Sequence, residues 1–516
     1  MGATISSMNA IDTRSIAVVF FGLLSSWHLG NIVYNLFFHP LKKIPGPFLA
    51  RCSSIFMIRV LHRRRLNTII ADLHSKFGPV VRIGPNELSF STVNAQKKIY
   101  NSSNNNINTY FTKQWTVQEQ AENLLLVGTN IITTHDKELH RKLKRGIQPA
   151  FTPNALKDQE PLIQQHVRGM IGRLDEIVQK PHQVTNIGDV ISASVWELVS
   201  DLSFGDTLTG NGRLMFDYFI NNANSVMAAY GLYDYLFPFG SWVLPSLMKP
   251  LGKLLQSFPY ASTTTGHVVS ASTLRNCLQR QHERRDFMTA ILDHCAQTGF
   301  HLSDDELVQN SSILFLAGYG TTAMTMTATF YQLLRNPEYM AAVQSELRNA
   351  FPSQESITAD GLAKLRYLPS VIFETLRLMP PINTRFADRT CPGTEINGIY
   401  IPKGTVVSAN VFSMQRMSEY WAEPLSFRPE RWFDNGPGTL FEHDNREAYK
   451  PFLSGTRGCI GKEMAYQTLR ISLGHLLYRY DYTMVNTDLD WDRDVPSAVS
   501  FQRFKCVQVN VHPRKS

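Results

Sequence analysis

The stretch Phe452–Gly461 reads FLSGTRGCIG and is more informative than any other segment of this 516-residue chain. It places one cysteine, Cys459, in a loop bracketed by glycines, two residues after Arg457. The glycines allow a tight turn in which main-chain N–H groups point at the sulfur and lower its pKa. Apolar residues with helical spacing follow directly, so we expect the sulfur at the positive N-terminus of a helix. Such a thiolate can hold a soft metal.

The residues around Cys459 suit a metal site. Arg457 is placed to bind an anionic group beside the metal, and Phe452 to shield the sulfur. The competing interpretation is a buried structural cysteine, which is the usual role of a lone cysteine. Three further motifs upstream favour the metal-ligand interpretation, because independent signals agree with one another.

Composition narrows the classes of protein that this chain can be. A hydrophobic content of 43% and the lack of repeats or long linkers predict one large catalytic domain. The net charge of +8 fits a membrane surface or an acidic protein partner, and we find no zinc spacing or stacking motif that would indicate nucleic acid. The cysteines other than Cys459 lack paired spacing, so we expect reduced thiols at Cys52, Cys277, Cys295, Cys391 and Cys506.

The N-terminal segment predicts a membrane anchor. No charged residue occurs from Ser15 to Leu41. Residues 15–38, as a helix rising ~1.5 Å per residue, cover a hydrocarbon core of ~30 Å. The alternative is a cleaved signal peptide with Ile16–Leu24 as its apolar region, but no small-residue cleavage site follows. We therefore expect a short tail at 1–14 and one uncleaved transmembrane helix at 15–38.

The segment after the anchor contains three prolines and a glycine, which predict a stiff hinge at residues 39–50 before a catalytic domain at 51–516. Lys42, Lys43 and Arg51 flank the anchor, and this distribution of charge predicts a cytoplasmic catalytic domain. The basic run at 62–65 fits a contact with lipid headgroups, or else a solvated helix face.

A long helix is predicted in the middle of the chain. Ser303 and Glu306 form a capping-box pattern, and apolar residues continue from there into Ala317–Thr322. This run contains Gly318 and Gly320, and each glycine inside a helix costs about 1 kcal/mol relative to alanine. Such a cost is tolerated where another group must approach the backbone closely or where the helix must open.

Two charged motifs lie between this helix and the cysteine loop. Glu374 and Arg377 stand at i and i+3, on one helix face. Arg431 follows in the sequence FRPERW, and buried charges must be paired. The two motifs therefore predict a buried cluster of Glu374, Arg377 and Arg431.

Taken together, the four motifs resemble those of the cytochrome P450 family, over roughly Pro45 to His512. The hinge resembles that of microsomal, fungal members. The resemblance implies a mainly α-helical cytochrome P450 fold with small β-sheets, near the N-terminal third and around 395–408, preceded by the N-terminal transmembrane helix. It also implies that Cys459 is the axial ligand of the iron of haem b, or iron protoporphyrin IX.

The resemblance gives the central helix a catalytic role. Thr321 would donate its hydroxyl proton to bound O₂, with Gly320 and Thr322 beside it. The family carries an acid where this chain has Gly320, so proton delivery here must use water or another side chain. The alternative role for Thr321 is a hydroxyl bonded back to the carbonyl four residues earlier.

The resemblance also implies a set of haem contacts. Phe452, Gly455 and Gly461 surround the ligand, and Arg457 and Arg389 bind propionates, with Arg385 as a competitor of Arg389. His140 and Lys144 replace the tryptophan and arginine of the family and can still donate to a propionate, although a solvated basic helix is the alternative. Glu374, Arg377 and Arg431 would lock the segment before the cysteine loop and so retain haem, without taking part in the chemistry.

The implied function is monooxygenation of a lipophilic small molecule. Electrons would come from NADPH through NADPH–cytochrome P450 reductase, docked on the basic face behind Cys459, with cytochrome b5 as a further candidate partner. We expect the pocket to be lined by residues 101–134, the central helix and the stretch after Pro380. Residues 231–260 would dip into the membrane or pack between helices. The location would be the endoplasmic reticulum membrane, and the pathway secondary metabolism, such as terpenoid or polyketide tailoring.

Two other functions stay open at this point. One is a haem-thiolate isomerase or dehydratase that works without a reductase, which the missing acid at Gly320 keeps in play. The other is a membrane-anchored haem-binding protein without catalysis. Consumption of NADPH coupled to product formation separates the monooxygenase from both.

Overall fold

The computed structural model describes residues 13–63, 65–101, 111–113, 129–180, 184–205, 285–382, 388–433, 437–495 and 507–514. Several sequence predictions fall outside these residues, namely those for residues 231–260, for Arg385, for Cys277 and Cys506 and for most of 101–134. The four cysteines within the described residues, Cys52, Cys295, Cys391 and Cys459, are free thiols.

Helices dominate the fold, as predicted. The described helices, in chain order, are α1 Thr13–Val33, α2 Phe48–Cys52, α3 Ile55–His62, α4 Leu66–Phe77, α5 Val93–Tyr100, α6 Lys137–Ile147, α7 Pro153–Val178, α8 Ile187–Phe204, α9 Phe287–Thr298, α10 Asp304–Arg335, α11 Pro337–Ala350, α12 Ala359–Ala363, α13 Tyr367–Leu378, α14 Val411–Met414, α15 Lys462–Arg479 and α16 Trp491–Asp494. A π-helix, Tyr34–Phe38, continues α1, and short 3-10 helices lie at Gln148–Phe151, Gln354–Ser356, Pro429–Trp432 and Arg446–Ala448.

The strands form three small sheets. They are β1 Val80–Gly84, β2 Glu87–Phe90, β3 Thr112–Lys113, β4 Thr185–Asn186, β5 Arg389–Thr390, β6 Thr394–Ile396, β7 Ile399–Ile401, β8 Val406–Ala409, β9 Tyr480–Met484 and β10 Gln508–Pro513. The largest sheet has the order β1-β2-β8-β5-β3, in which β2 and β8 are parallel, and β6 and β7 form a hairpin. Both lie where the sequence predicted sheets. The third sheet, β4-β10-β9, pairs β4 with the two C-terminal strands and was not predicted.

The N-terminal region contains the helix that the sequence predicts as an anchor. Large apolar side chains of α1 and the π-helix are exposed, among them Phe21 at 63%, Leu23 at 68% and Phe38 at 69%. Nevertheless, among the helices that the structure describes, none combines the length and the apolar character needed to cross a membrane.

The hinge is held against the catalytic domain by hydrogen bonds rather than by its prolines alone. Arg82 of β1 is fully buried and donates to the carbonyl of Asn35 at 3.0 Å and to that of Pro85 at 2.6 Å. Asn35 in turn donates to the carbonyl of Cys52 at 3.0 Å. Gly46 packs so closely on Arg82 that a Cβ there would lie 2.1 Å from the Arg82 carbonyl oxygen. These contacts fix the path of the chain between the π-helix and β1.

The core of the catalytic domain is built around α10. The capping box is confirmed, because Ser303 Oγ accepts from Glu306 N and the Glu306 carboxylate accepts from Ser303 N. The buried face of α10 packs on α8, where Trp196 of α8 contacts Phe315 of α10 edge-to-face, with 4.7 Å between the ring centroids. Burial of a side chain such as Phe315 contributes about 1.5–3 kcal/mol. The packing leaves the opposite face of α10 free to line a cavity.

Candidate active site

The cysteine loop is turned by two residues with positive φ. Leu453 has φ of 56° and Gly455 has φ of 76°, whereas Gly458 and Gly461 keep negative φ. The Cys459 N–H donates to the Phe452 carbonyl at 3.0 Å, which closes the loop. Gly455 adopts the left-handed backbone that favours glycine, and Gly458 N donates to the Gly455 carbonyl at 3.1 Å, so both glycines belong to the tight turn.

Gly455 is also required by a close contact. A Cβ at this position would lie 2.1 Å from the carbonyl oxygen of Tyr100, the last residue of α5. The neighbouring Ser454 hydroxyl donates to Asn101 Oδ1 at 2.7 Å and accepts from Gln96 Nε2 at 2.7 Å. The C-terminal end of α5 thus clamps the loop that carries Cys459.

The sulfur lies just ahead of a helix, as predicted. Helix α15 begins at Lys462, three residues after Cys459. Burial raises the pKa of the Cys459 thiol, while the N–H of Gly461 and the charge of Lys462 act in the opposite direction. The sequence predicted a lowered pKa. Desolvation therefore disfavours the thiolate more than Gly461 and Lys462 favour it. The Cys459 side chain nevertheless opens onto a cavity.

This cavity has a volume of about 310 Å³ and brings the predicted site residues together. Cys459 and Phe452 of the loop line it, as does Thr321 of α10. The described residues that line the rest of it are mostly apolar, and they include Ile131, Ile132, Val199, Leu202, Phe287, Ile313, Leu314, Ala317, Pro381 and Ile382. A cavity of this size and character suits a lipophilic molecule.

One face of α10 supplies a wall of the cavity through Leu314, Ala317, Gly318, Thr321 and Thr322, which follow helical spacing. The Thr321 hydroxyl donates to the Ala317 carbonyl at 2.7 Å. This back-bond is the alternative role considered for Thr321. Because its proton is engaged, the Thr321 oxygen faces the cavity as an acceptor, and the expected donation from Thr321 is not available in this conformation.

Gly320 does not belong to that wall. It is buried, and the cavity lining contains its neighbours Gly318, Thr321 and Thr322 but not Gly320 itself. The adjacent Tyr319 points toward α8, where its hydroxyl lies 2.6 Å from Ser192 Oγ. Residue 320 therefore lies beside the cavity rather than in it.

Five basic side chains line the cavity, namely Lys450 and the four side chains that the resemblance assigns to the propionates. Arg457, Arg389, His140 and Lys144 all contribute to its surface. The Arg389 guanidinium lies 5.2 Å from the centroid of the Tyr100 ring. Lys144 Nζ donates to the Thr456 carbonyl at 2.8 Å, so α6 also holds the cysteine loop.

The residues present fit an iron porphyrin. The accessible thiol of Cys459 suits the iron, the five basic side chains suit two propionates, and the apolar walls suit the ring. Among the described residues, no cluster of three or more His, Cys, Asp or Glu offers a different metal site. The donor set thus matches a single-thiolate ligand with basic contacts for carboxylates.

The predicted charged cluster is fully buried next to the site. Glu374 forms a double hydrogen bond with Arg377, at 2.8 and 2.9 Å, and accepts from Arg431 Nε at 2.9 Å. The side chains of all three residues are 0% exposed. Arg377 also donates to the carbonyls of Gln415 and Pro424, both at 2.6 Å, so each buried charge is compensated.

Sequence reasoning missed three members of this cluster. Asp444 pairs with Arg431, and Trp432 Nε1 donates to Glu374 Oε2 at 2.9 Å. Gln415 donates to the carbonyls of Leu376 and Arg377 and accepts from Lys450 N at 2.9 Å, which connects α13 to the cysteine loop. Trp432 stands inside the PERW motif, whereas no pattern in the sequence distinguishes Asp444 or Gln415.

Comparisons with known proteins agree with this site. The family model described as Cytochrome P450 matches residues 45–504. The cytochrome P450 monooxygenase FUP2 of Fusarium proliferatum is 39% identical over 513 residues, which cover 96% of this chain and 98% of the relative. The monooxygenase tpcB of Cochliobolus heterostrophus is 37% identical over 478 residues, 92% of each protein. Sesterfisheric acid synthase of Neosartorya fischeri is 34% identical, over 96% of this chain and 97% of the relative.

Proposed function

The chain belongs to the cytochrome P450 family and is a monooxygenase of that family, and we propose that it hydroxylates or epoxidises a lipophilic small molecule of secondary metabolism. The observation that carries this proposal is that Cys459 and the helix face containing Thr321 line the same cavity. Sesterfisheric acid synthase, by its printed name, makes an acid. The similarity to such fungal relatives supports a role in secondary metabolism, and we propose a terpenoid or polyketide as the product class.

Haem bound through Cys459 would supply the activation of O₂, with the thiolate donating electron density. The protein would contribute four things around it. Arg457, Arg389, His140 and Lys144 would neutralise the propionates, and Phe452 with Gly455 and Gly461 would shape the thiolate side. The cluster of Glu374, Arg377 and Arg431 would keep the preceding segment in place through Gln415. The apolar walls would orient the substrate and exclude water.

The substrate class follows from the walls of the cavity. The described residues on the side of Ile131, Val199, Phe287 and Leu314 carry only hydrocarbon side chains. A substrate that presented several polar groups to these walls would lose hydrogen bonds to water without replacement. This supports a substrate that is largely hydrocarbon where it meets α8, α9 and α10.

Proton delivery would use water held by Thr321. The oxygen of this hydroxyl can accept from a water while its proton stays on the Ala317 carbonyl. Gly320 supplies no carboxylate, and we hypothesise that a water occupies the space such a group would fill. The variant Gly320→Glu tests this hypothesis: improved coupling of NADPH to product would support it, and unchanged coupling would contradict it.

The N-terminal segment would anchor the enzyme to the endoplasmic reticulum membrane with the catalytic domain in the cytoplasm. Support comes from the exposed apolar side chains of α1 and from Phe37, Phe38 and Phe48, which are 62–69% exposed. Lys42 and Lys43 follow directly and suit the headgroup region. NADPH–cytochrome P450 reductase, with cytochrome b5 as a second donor, would supply electrons at this membrane.

Reconstitution tests the proposed reaction. The purified holoprotein is incubated with reductase, NADPH and extracts of lipophilic metabolites in ¹⁸O₂ and, separately, in H₂¹⁸O. A product that carries one ¹⁸O atom from O₂, with NADPH consumed in proportion, is the expected result. Conversion of a substrate without reductase or NADPH would instead support an isomerase or dehydratase, the second candidate, which the missing acid at Gly320 favours.

A further inference from the structure

Asn310 of α10 makes a hydrogen bond that joins the central helix to the loop containing Ile131 and Ile132, which also lines the cavity. Its Oδ1 accepts from the backbone N–H of Ile131 at 2.9 Å, and its Nδ2 donates to the Glu306 carbonyl one turn earlier at 2.6 Å. Asn310 is 2% exposed and Ile131 is 8% exposed. Water therefore has little access to this bond.

The loop that receives the bond is itself tightly built. Asn130 Oδ1 accepts from the N–H groups of Ile132 and Thr133, at 2.9 and 3.0 Å, and Asn130 N donates to Thr133 Oγ1 at 3.0 Å. The backbone of residues 130–134 is thus a compact turn with an asparagine at its centre. The N–H of Ile131 points out of this turn and donates the hydrogen bond to Asn310 Oδ1.

The contact joins two segments that line the cavity, although Asn310 itself does not line it. Ile131 and Ile132 line it from the loop, and Ile313 and Leu314, three and four residues after Asn310, line it from α10. Residues three and four apart lie on the same face of a helix. The bond from Asn310 to Ile131 therefore sets the distance between two hydrocarbon surfaces that face the same ligand.

The helix end that carries Asn310 is fixed independently of the loop. Glu306, whose carbonyl receives Asn310 Nδ2, forms an ion pair with Lys142 of α6 at 2.6 Å and caps Ser303 N. The position of Asn310 is therefore fixed by its own helix. The turn around Asn130 is held by its internal hydrogen bonds and is attached to Asn310 through Ile131 N. Loss of the attachment lets the turn move without unfolding either partner.

We propose that Asn310 is a specificity-determining positioning residue: by holding Ile131 and Ile132 against the cavity face of α10, it sets the shape of the space in which the substrate lies. This proposal rests on the proposed function, since it concerns the substrate side of the same cavity. Asn310 touches neither substrate nor cofactor and acts through the two isoleucines. Loss of this buried hydrogen bond should change the preference between two ligands by about two- to tenfold.

The test uses Asn310→Leu, which keeps the side-chain volume but removes the acceptor. The matched control is Ser311→Ala, since Ser311 is also buried on α10 but its hydroxyl donates only within its own helix, to the Leu307 carbonyl at 2.8 Å. The probes are 1-phenylimidazole and 4-phenylimidazole, which bind the haem iron through nitrogen and direct the phenyl ring differently. Their dissociation constants are measured by difference spectroscopy on the holoprotein, so no turnover is needed.

The expected result is a change of about fivefold in the ratio of the two dissociation constants for Asn310→Leu and less than about twofold for Ser311→Ala. In the same samples, hydrogen exchange of the Ile131 amide should accelerate by about tenfold or more in Asn310→Leu only. An unchanged ratio would overturn the proposal, whether or not exchange accelerates. Failure of the proposed monooxygenase reaction would leave this ratio untouched, so the two failures are distinguishable.

A second variant covers the case in which Asn310→Leu yields no folded holoprotein. Asn130→Ala leaves α10 intact and breaks the turn at its other end. It should shift the same ratio in the same direction, and the double variant should shift it no further than the larger single effect, because both act through the position of Ile131. Additive shifts, or no shift in Asn130→Ala, would contradict the proposal.

Discussion

The buried cluster around Glu374 and the cavity face of α10 lie in the same domain and differ in almost every electrostatic respect. In the cluster, Glu374, Arg377 and Arg431 are wholly buried and each charged group has several partners. The cavity face presents hydrocarbon, glycine and the hydroxyls of Thr321 and Thr322. The contrast teaches that the strongest interactions of this protein hold the frame of the site, while the wall next to the chemistry is nearly bare of charge.

The free-energy cost of burying charged groups explains why the charged cluster and the cavity face are separate regions. A buried charge is stable only if its geometry is satisfied completely, so the cluster cannot also rearrange during a reaction. The uncharged face of α10 can accept an apolar substrate without desolvating protein ions. The cysteine loop connects the regions through Gln415 and Lys450 on one side and through Cys459 on the other.

The largest effect is expected from removing the acid of the cluster. Glu374→Ala leaves two buried guanidinium groups without their carboxylate and should destabilise the protein by about 3–5 kcal/mol. Yield of holoprotein and the midpoint of urea unfolding measure this effect. As control, Glu447→Gln removes an exposed ion pair with Lys97 and should lower the stability far less than Glu374→Ala does. Equal stability of the two variants would show that the cluster is not the frame.

The next effect concerns the loop that joins the two regions. Gly455→Ala places a methyl group 2.1 Å from the Tyr100 carbonyl oxygen at a φ of 76°, and we expect a loss of about 2–3 kcal/mol together with weaker haem retention. Gly438→Ala is the matched control, because Gly438 has φ of 85° but open space around it. It should cost only about 1 kcal/mol. If the two substitutions lower the stability equally, the contact between α5 and the cysteine loop does not contribute to stability.

Acid pH should destabilise the folded protein through buried histidines outside the Glu374 cluster. Burial lowers the pKa of His74 to about 4, against an opposing contribution of the Gly78 carbonyl, so folding favours its neutral form. The unfolded chain has a pKa near 6.5 and takes up the proton first as pH falls. This contribution is complete above about pH 6.5, and about 2 kcal/mol of it is lost by pH 5.

Urea unfolding at pH 7.5 and pH 5 measures the effect. The variant His74→Gln should lose about 2 kcal/mol less than the wild type over this interval, whatever its stability at pH 7.5. His475, whose pKa burial also lowers to about 4, with the charge of Arg168 adding to the shift, should behave in the same way. An identical loss in wild type and variant would show that His74 does not titrate with unfolding.

The smallest of these effects concerns the cavity face itself. Thr321→Ala removes the acceptor oxygen that we assign to a relay water, so NADPH consumption should continue while product per NADPH falls by roughly tenfold, about 1.4 kcal/mol, and peroxide rises. Thr325→Ala is the control, because Thr325 is back-bonded to the Thr321 carbonyl at 2.8 Å and does not line the cavity. Unchanged coupling in Thr321→Ala would place the relay elsewhere and would favour the isomerase function.

Local pattern predicted a large part of this architecture. The capping box of Ser303 and Glu306 and the i, i+3 pair of Glu374 and Arg377 depend on neighbours in sequence, so their geometry could be read directly. The position of Cys459 ahead of a helix followed for the same reason. The sheet β4-β10-β9 could not be predicted, because β10 near the C-terminus pairs with β4, which lies in a distant part of the chain.

The details of the site depended on packing that sequence does not encode locally. Asp444 joins Arg431 and Gln415 joins α13 to the cysteine loop, and neither residue stands in a motif. The pKa of Cys459 is raised because burial outweighs the nearby N–H group, a balance that only the fold determines. The back-bond of Thr321 likewise replaced the expected donation, because the Ala317 carbonyl lies within 2.7 Å.

The most direct test of the central assignment, Cys459 as the thiolate ligand in this cavity, is the spectrum of the reduced carbon monoxide complex. The wild-type holoprotein should show the red-shifted band typical of a thiolate ligand. Cys459→Ser should lose that band while Cys391→Ser, which removes a buried thiol away from the cavity, should keep it. Survival of the thiolate band in Cys459→Ser would contradict the account.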